Sequence, residues 1–268
     1  MNCRVEKSEI SGNIVCPPNK SYTHRAIFLA TLADGKSIIK NILKSGDTYS
    51  TINACKNFGA EIKDVGNDIT VNSTGELKLQ SDTIDAANSG TTIRIATAIS
   101  TLSSDKIVLT GDSSLKKRPM QPLLDALESL DAKCSSSNGN PPISISGKIK
   151  GGEVKISGSV SSQFISALMI TAPKLEKGLI LNIQNKLVSK PYIDATIAAM
   201  KKFGAEVEIK TAYKKYIIHK QDYKSTTFAI PSDFSSLALL LSAAVLLGED
   251  ITIQISSGSM PQADEAII

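Results

Sequence analysis

The sequence predicts an α/β protein assembled from repeats of one supersecondary unit. Polar stretches that contain serine open four apolar helices, and three times a helix stops and runs directly into a strand. The stops begin 72 and 73 residues apart: Phe58-Gly59-Ala60-Glu61, Leu130-Asp131-Ala132-Lys133 and Phe203-Gly204-Ala205-Glu206. Self-similarity at a fixed period indicates a repeat architecture. Each unit is predicted to contain a helix, a strand, a second helix and two further strands, with both helices on one face of a mixed sheet.

The first unit shows the order of elements, and a strand or hairpin at residues 4–6 and 13–16 precedes it. Its predicted helices and strands lie at residues 20–33, 37–43, 49–57, 60–65 and 68–72. The turn residues Gly66-Asn67 join the last two strands. We place the three complete units at residues 20–72, 88–146 and 161–219, with second helices at 121–130 and 192–203 in the later two.

A fourth unit begins at Pro231-Ser232-Asp233, with a helix at residues 237–247 and a strand at 250–255. The sequence stops after Gln262-Ala263-Asp264-Glu265-Ala266-Ile267-Ile268, where the second helix should begin. A natural domain rarely ends within an element. We therefore expect three complete units plus a truncated fourth, in an incomplete polypeptide.

Composition excludes several classes of function. The 268 residues are 41% hydrophobic with a mean hydropathy of zero, which is typical of a soluble globular protein, and the longest apolar stretch is too short to cross a membrane. The first residues contain no signal-like apolar segment, so we expect a cytoplasmic protein. Four dispersed cysteines and two histidines predict free thiols and no metal site. A net charge of +4 is too mild to indicate nucleic-acid binding.

The basic residues are unevenly chosen. Of 30 Lys and Arg residues only Arg4, Arg25, Arg94 and Arg118 are arginine, and the last three lie in or beside the polar helix starts. Guanidinium offers a planar bidentate fork for phosphate or carboxylate that an ammonium group does not. This usage suggests an anion site.

The helix starts themselves favour anions. Lys20, Ser21 and Arg25 lie at the start of the first helix, where free N–H groups and the helix dipole attract phosphate. Gly90 and Arg94 repeat the spacing of Ser21 and Arg25. One such helix start alone would more simply be a solvated basic turn; the repetition favours a site.

Five motifs then carry a resemblance along all 268 residues: Asn19-Lys20-Ser21 through Arg25, Asn88-Ser89-Gly90-Thr91 through Arg94, Lys117-Arg118-Pro119, Ser161-Ser162-Gln163, and Ser189-Lys190-Pro191-Tyr192-Ile193-Asp194. The chain resembles the 5-enolpyruvylshikimate-3-phosphate synthase family. The resemblance implies the inside-out α/β barrel of the enolpyruvyl transferases, with βαβαββ units and two similar domains. Residues 18–231 would then be a complete three-unit domain, and residues 1–17 and 232–268 would begin the second domain.

The resemblance also implies an activity. The family transfers the enolpyruvyl group of phosphoenolpyruvate to the 5-hydroxyl of shikimate 3-phosphate and releases phosphate, with no metal or organic cofactor. Its members are typically monomeric, and glyphosate occupies their phosphoenolpyruvate pocket. The acid and base groups of the family come from the second domain, and this sequence contains no Lys-Glu-Thr/Ser-Asp-Arg stretch. We therefore expect this chain to bind shikimate 3-phosphate without catalysing transfer.

The site residues follow from the matched motifs. The resemblance assigns shikimate 3-phosphate to Lys20, Ser21, Arg25, Ser161, Ser162, Gln163, Ser189 and Tyr192. It assigns phosphoenolpyruvate to Lys20, Gly90, Arg118 and Gln163, with Lys20 the catalytic candidate because it touches both substrates. Asn88, Thr91 and Arg94 are expected to support the loop. His24 is predicted to pack or to support neighbouring site residues, without a catalytic role. Lys117-Arg118 could instead be a solvated basic turn, and Tyr192 a packing residue at a helix start.

Three alternatives stay open. The related transferase that acts on UDP-N-acetylglucosamine typically carries a reactive cysteine on the loop before its basic site, whereas residues 111–118 contain none. RNA 3′-terminal phosphate cyclase shares the repeat but needs a nucleotide site and a catalytic histidine. A non-catalytic module that binds a phosphate ligand is the third.

Overall fold

The structure is a computed structural model that describes residue 4, residues 9–256 and residues 260–267. Three consecutive units make up most of it. The first contains α1 (Lys20–Leu32), β2 (Ala33–Lys40), α2 (Gly46–Asn57), β3 (Glu61–Val65) and β4 (Asp68–Thr74), preceded by β1 (Ile10–Val15). The second contains β5 (Thr83–Asp85), α3 (Gly90–Ser100), β6 (Ile107–Thr110), α4 (Gln121–Glu128), β7 (Lys133–Ser137) and β8 (Asn140–Ser146).

The third unit contains β9 (Gly152–Ser157), α5 (Ser162–Thr171), β10 (Leu179–Gln184), α6 (Pro191–Lys202), β11 (Glu208–Thr211) and β12 (Lys215–Ile218). After it come β13 (Tyr223–Lys224), β14 (Thr227–Ala229), α7 (Phe234–Leu247) and β15 (Gly248–Gln254). Short 3-10 helices occupy Leu115–Lys117, Ala172–Lys174 and Glu265–Ile267. The predicted repeat and α/β class are therefore confirmed.

In the second and third units a strand, β5 or β9, precedes the first helix, and the predicted unit bounds omitted it. The second and third sheets run in the equivalent orders β5-β6-β8-β7 and β9-β10-β12-β11, with the first pair parallel and the others antiparallel. In the first sheet the parallel partner of β2 is supplied by β13 and β14, which follow the third unit in sequence. The end of the third unit thus completes the sheet of the first, and the three units form a closed set.

The helices that open the units form the interior. In α1 every residue from Tyr22 to Leu32 is buried, and α3 and α5 are buried along most of their length. A helix that is buried on all sides belongs in a core, here with the sheets on the outside. α3 packs on α5, and α1 packs on α2 and α6. This arrangement gathers the N-termini of the three helices at one end of the core.

Strand β1 and helix α7 have strongly exposed apolar side chains. β1 pairs with β15 in a two-stranded parallel sheet, and Val15 is 65% exposed. Helix α7 is almost entirely apolar, yet Leu239 and Val245 are 75% and 83% exposed. Among the described helices, none is long and apolar enough to cross a membrane.

A few element bounds differ from prediction. The strand predicted at residues 37–43 is β2, which starts directly after α1 and ends at Lys40 because Asn41 takes a left-handed φ of 56°. The short helix expected from residue 262 is the 3-10 turn at Glu265–Ile267. The strand predicted at residues 4–6 lies outside the described residues, apart from Arg4.

Candidate functional site

Three helix N-termini meet at one cavity. The start of each helix is capped by its own polar residue: Asn19 Oδ1 accepts from Tyr22 N–H (2.9 Å), Ser89 Oγ from Thr92 N–H (3.2 Å) and Ser161 Oγ from Gln163 N–H (3.2 Å). A cap satisfies one of the four N–H groups that a helix start leaves without an intrahelical partner. The positive ends of α1, α3 and α5 therefore face the same space, and that space favours negative charge.

The cavity holds about 390 Å³. Ten of the thirteen residues predicted for the site line it: Lys20, Ser21, Gly90, Thr91, Arg118, Ser161, Ser162, Gln163, Ser189 and Tyr192. These residues are distant in sequence and come from all three units. The structure thus brings the five motifs together in one place, and leaves Arg25, Asn88 and Arg94 outside the cavity surface.

Arg25 lies behind the cavity wall. Its side chain is 1% exposed, and all five of its N–H groups donate to protein oxygens: Thr196 Oγ1 (2.8 Å), Ser21 O and Oγ (both 3.1 Å), Ser166 Oγ and Tyr192 O (both 3.2 Å). Burial lowers the pKa of Arg25 to about 10, so the guanidinium is charged at neutral pH. Because every acceptor is neutral, its positive charge adds to the attraction of the cavity for anions. In this arrangement Arg25 orients Ser21 and Tyr192.

Arg94 also acts from behind the wall. Its guanidinium lies 5.0 Å from the centre of the Phe164 ring, and its Nη1 donates to Gln163 Oε1. The Gln163 Nε2 amide then donates to Thr91 Oγ1 (3.1 Å). The start of α3 is thereby tied to the start of α5 by way of one amide. Burial, and secondarily the nearby charge of Arg118, lowers the pKa of Arg94 to about 10.

Arg118 lies at the side of the cavity, just after the short 3-10 helix. Its Nη2 donates to Asn88 Oδ1 (2.8 Å). Gly90 packs directly beneath this group, because a Cβ atom there would lie 2.8 Å from Arg118 Nη1 and 3.6 Å from Arg94 Nη1. A side chain at residue 90 would therefore displace a guanidinium as well as fill space.

Lys20 faces a carboxylate across the cavity. Its Nζ lies 3.0 Å from Asp47 Oδ2, with the two side chains 51% and 35% exposed. Asp47 is the single acidic residue among the described residues that line the cavity, against the cations Lys20 and Arg118. An exposed pair of this kind contributes little to stability, so the ammonium is available to an incoming anion.

Ser189 and Tyr192 form the rim beside α6. Ser189 has a left-handed φ of 56°, a conformation that is uncommon outside glycine and concentrated at functional positions. Tyr192 N–H donates to Ser189 O (3.2 Å), and Tyr192 O accepts from Arg25. The rim is thereby connected to the buried guanidinium.

Sequence reasoning did not assign Asp47, His24, Val160 and Val188 to the site, and all four line the cavity. Asp47 follows a helix start in a segment that resembled an ordinary capped helix. Val160 directly precedes Ser161 and Val188 directly precedes Ser189, and this adjacency to assigned residues could have indicated that both lie at the site. His24 is adjacent to Arg25 in sequence and lies on the same helix start, which was the available signal.

Two other cavities are less suited to chemistry. The larger, about 520 Å³, lies at the opposite ends of the helices, lined by Leu102 and Pro173 among others. Its most buried cation, Lys174, is already paired with Glu76 (3.4 Å) and Asp222 (3.5 Å). The smaller, about 300 Å³, adjoins the site at Lys20 and Tyr192. In the described part of the chain no group of three or more His, Cys, Asp or Glu residues is placed to hold a metal ion.

The fold and the site define an α/β repeat protein with a cationic ligand cavity where three helix N-termini converge. A family model described as EPSP synthase (3-phosphoshikimate 1-carboxyvinyltransferase) matches residues 5–268. The chain belongs to the EPSP synthase family. This confirms the family inferred from the motifs.

Individual relatives agree with this assignment. A 3-phosphoshikimate 1-carboxyvinyltransferase of Nitrosopumilus maritimus is 58% identical over 268 residues, which cover all of this chain and 64% of that protein. The enzyme of the same name from Methanosarcina mazei is 46% identical over 274 residues, covering all of this chain and 63% of that protein. The solved EPSP synthase from Acinetobacter baumannii superimposes with a TM-score of 0.78 over 92% of this chain and 56% of that one; at 24% identity it shows the shared fold. The chain thus spans about 64% of the length of the curated relatives it matches.

Proposed function

We propose that this chain forms the shikimate 3-phosphate-binding part of a 3-phosphoshikimate 1-carboxyvinyltransferase. The reaction transfers the enolpyruvyl group of phosphoenolpyruvate to the 5-hydroxyl of shikimate 3-phosphate and releases phosphate. The single observation that carries the proposal is the convergence of ten predicted residues on one cationic cavity. Both substrates are multiply anionic, and holding two such reactants together is a large part of the catalytic task.

The proposed contacts with each substrate follow from the positions of the side chains. Ser161, Ser162 and Ser189 supply hydroxyl donors at the start of α5 and on the rim, which suit the phosphate of shikimate 3-phosphate. Arg118, above Gly90, suits the smaller anion phosphoenolpyruvate, and Lys20 lies at the same cavity so that it can contact both ligands. Gln163 is presented to the cavity by Arg94 and Thr91.

We also propose that turnover needs groups beyond this cavity. A carboxyvinyl transfer requires a proton donor for the methylene carbon of phosphoenolpyruvate and a base for the accepting hydroxyl. Asp47 is held by Lys20, and His24 has its pKa lowered to about 3, chiefly by burial, so its imidazole is neutral at neutral pH and cannot act as an imidazolium acid. The isolated chain is therefore expected to bind without turnover.

The same proposal divides the chain into domains. Residues 18–231 form the complete three-unit domain, and residues 1–17 and 232–268 belong to a second domain. The pairing of β1 with β15 and the exposed apolar surface of α7 support this division, since a strand pair and an apolar helix need further partners to be buried.

Calorimetric titration with shikimate 3-phosphate tests the proposal, and the chain offers a matched pair of variants. Lys20 and Lys44 each pair with an aspartate, at 3.0 and 2.7 Å, but Lys44 lies outside the cavity. We expect saturable binding that weakens as the salt concentration rises. Lys20→Met should lower the affinity about tenfold or more, because a charge-assisted hydrogen bond contributes about 1.5–3 kcal/mol, and Lys44→Met should leave the affinity unchanged.

Two further arms complete the experiment. UDP-N-acetylglucosamine should not bind, and its binding would instead indicate the related transferase that acts on that substrate. A phosphate-release assay with both proposed substrates should show no turnover. A folded chain that fails to bind shikimate 3-phosphate, or equal losses in the two lysine variants, would contradict the proposed site.

A further inference from the structure

His24 has an unsatisfied hydrogen-bond acceptor at the site. The residue lines the 390 Å³ cavity and is 1% exposed. Its Nδ1 lies 2.6 Å from Thr51 Oγ1, whereas its Nε2 is buried and has no hydrogen-bond partner among the described residues. Leaving a buried polar atom unpaired costs about 1–3 kcal/mol, and such an atom in a native structure needs an explanation.

A chain of hydroxyl groups decides which ring nitrogen carries the proton. Thr92 Oγ1 donates to Ser89 Oγ (2.7 Å), and a second acceptor, Asp47 O, lies 3.4 Å away. A hydroxyl has one proton, so Thr92 has none left for Thr51, which lies 2.7 Å from it. With Thr92 donating to Ser89, the contact between Thr51 and Thr92 is a hydrogen bond only when Thr51 is its donor.

Because the Thr51 proton is committed to Thr92, Thr51 Oγ1 can only accept from His24. His24 is thus the neutral tautomer protonated at Nδ1. Burial, joined by the positive charges of Arg25 and Lys20, keeps the imidazole uncharged despite the opposing effect of Asp47. Its Nε2 is left with a bare lone pair, which is an acceptor, in a residue that forms part of the cavity wall.

We propose that His24 is a further ligand-binding residue, whose Nε2 accepts a hydrogen bond from a ring hydroxyl of the ligand in the cavity. The proposal rests on the proposed function and adds to the site a group that accepts a hydrogen bond from an uncharged donor. Most polar side chains of the cavity are cations or hydroxyls, and the one carboxylate, Asp47, is paired with Lys20, so a neutral acceptor at His24 distinguishes a hydroxylated ligand from a plain anion. An analogue that lacks the hydroxyls should lose this bond.

Nitrogen-15 spectroscopy of the imidazole rings tests the tautomer directly. His24 and His219 are the two histidines of the sequence, and His219 is 78% exposed, so it serves as an internal reference. In the free chain at pH 7 we expect protonation of His24 at Nδ1 and an Nε2 resonance typical of an unprotonated nitrogen without a donor. Saturating shikimate 3-phosphate should move the Nε2 resonance upfield, as expected on accepting a hydrogen bond.

The variant His24→Asn separates the two nitrogens. The asparagine amide can keep the donor to Thr51 near the position of Nδ1, but it offers nothing at the position of Nε2. We expect the dissociation constant for shikimate 3-phosphate to rise about two- to tenfold, as for the loss of one neutral hydrogen bond. For an analogue that lacks both ring hydroxyls, the same substitution should have no effect, which makes the pair of ligands a thermodynamic cycle.

The outcomes distinguish the two proposals. Binding of shikimate 3-phosphate with an unmoved Nε2 resonance, or equal losses for both ligands in His24→Asn, overturns the role of His24 and leaves the proposed function standing. No binding by the folded chain overturns both. An Nε2 that already carries a proton in the free chain also refutes the inference. If the variant does not fold, the resonances of the unsubstituted chain decide alone.

Discussion

Replacing Arg25 by lysine keeps the positive charge but should strongly destabilise the protein. The guanidinium reaches five acceptors on Ser21, Ser166, Tyr192 and Thr196 at 2.8–3.2 Å. An ammonium group has three donors on one atom, so at least two acceptors lose the hydrogen bond from residue 25. With hydrogen bonds to charged groups contributing about 1.5–3 kcal/mol each, the expected loss is about 3–6 kcal/mol of the free energy of unfolding.

Urea unfolding followed by circular dichroism measures this loss, with an unchanged m value as the check that the same transition is compared. Arg118→Lys is the matched control, since Arg118 is half-buried and, among the residues that the structure describes, its side chain makes one hydrogen bond, to Asn88. Its effect should stay within about 1 kcal/mol. If Arg25→Lys and Arg118→Lys differ by less than 1 kcal/mol, the five-acceptor arrangement does not stabilise the fold as argued.

Three further predictions concern other parts of the molecule. His24 has a folded-state pKa of about 3 against 6.5 in the unfolded chain, so the unfolded state binds the extra proton and the free energy of unfolding should fall as the pH drops from 7, by up to about 1.4 kcal/mol per pH unit below 6.5. His24→Asn should remove this dependence of stability on pH between pH 7 and 5.5, whereas replacing the exposed His219 should keep it. Gly90→Ala should displace the Arg118 guanidinium and weaken the binding of phosphoenolpyruvate about tenfold in calorimetric titration, with far less effect on the binding of shikimate 3-phosphate. Equal effects on the two affinities would contradict the assigned positions. Val245→Lys, at an 83% exposed position, should change the unfolding midpoint little and reduce self-association measured by sedimentation; a stability loss above about 1 kcal/mol would show that this face is buried in solution.

Much of the site was predictable because its residues lie in short, contiguous motifs. The serines of α5 and the Gly90 turn sit at helix starts, and helix starts can be recognised from local sequence. The buried position of Arg25 was not predictable, since Thr196 and Ser166 are more than a hundred residues away in sequence and carry no motif. The same holds for the Lys20–Asp47 pair, which joins two different helix starts.

The sequence by itself determined the repeat, the α/β class, the family and most of the residues around the cavity. Periodicity and helix starts are local properties, so they are readable without a structure. Only the tertiary structure decided that β13 and β14 complete the first sheet, that Arg25 and Arg94 act from behind the wall, and that His24 Nδ1 lies beside Thr51. Each of these depends on groups that lie far apart in the chain and meet only when the three units pack together, because hydrogen bonds and burial are set by distance in space.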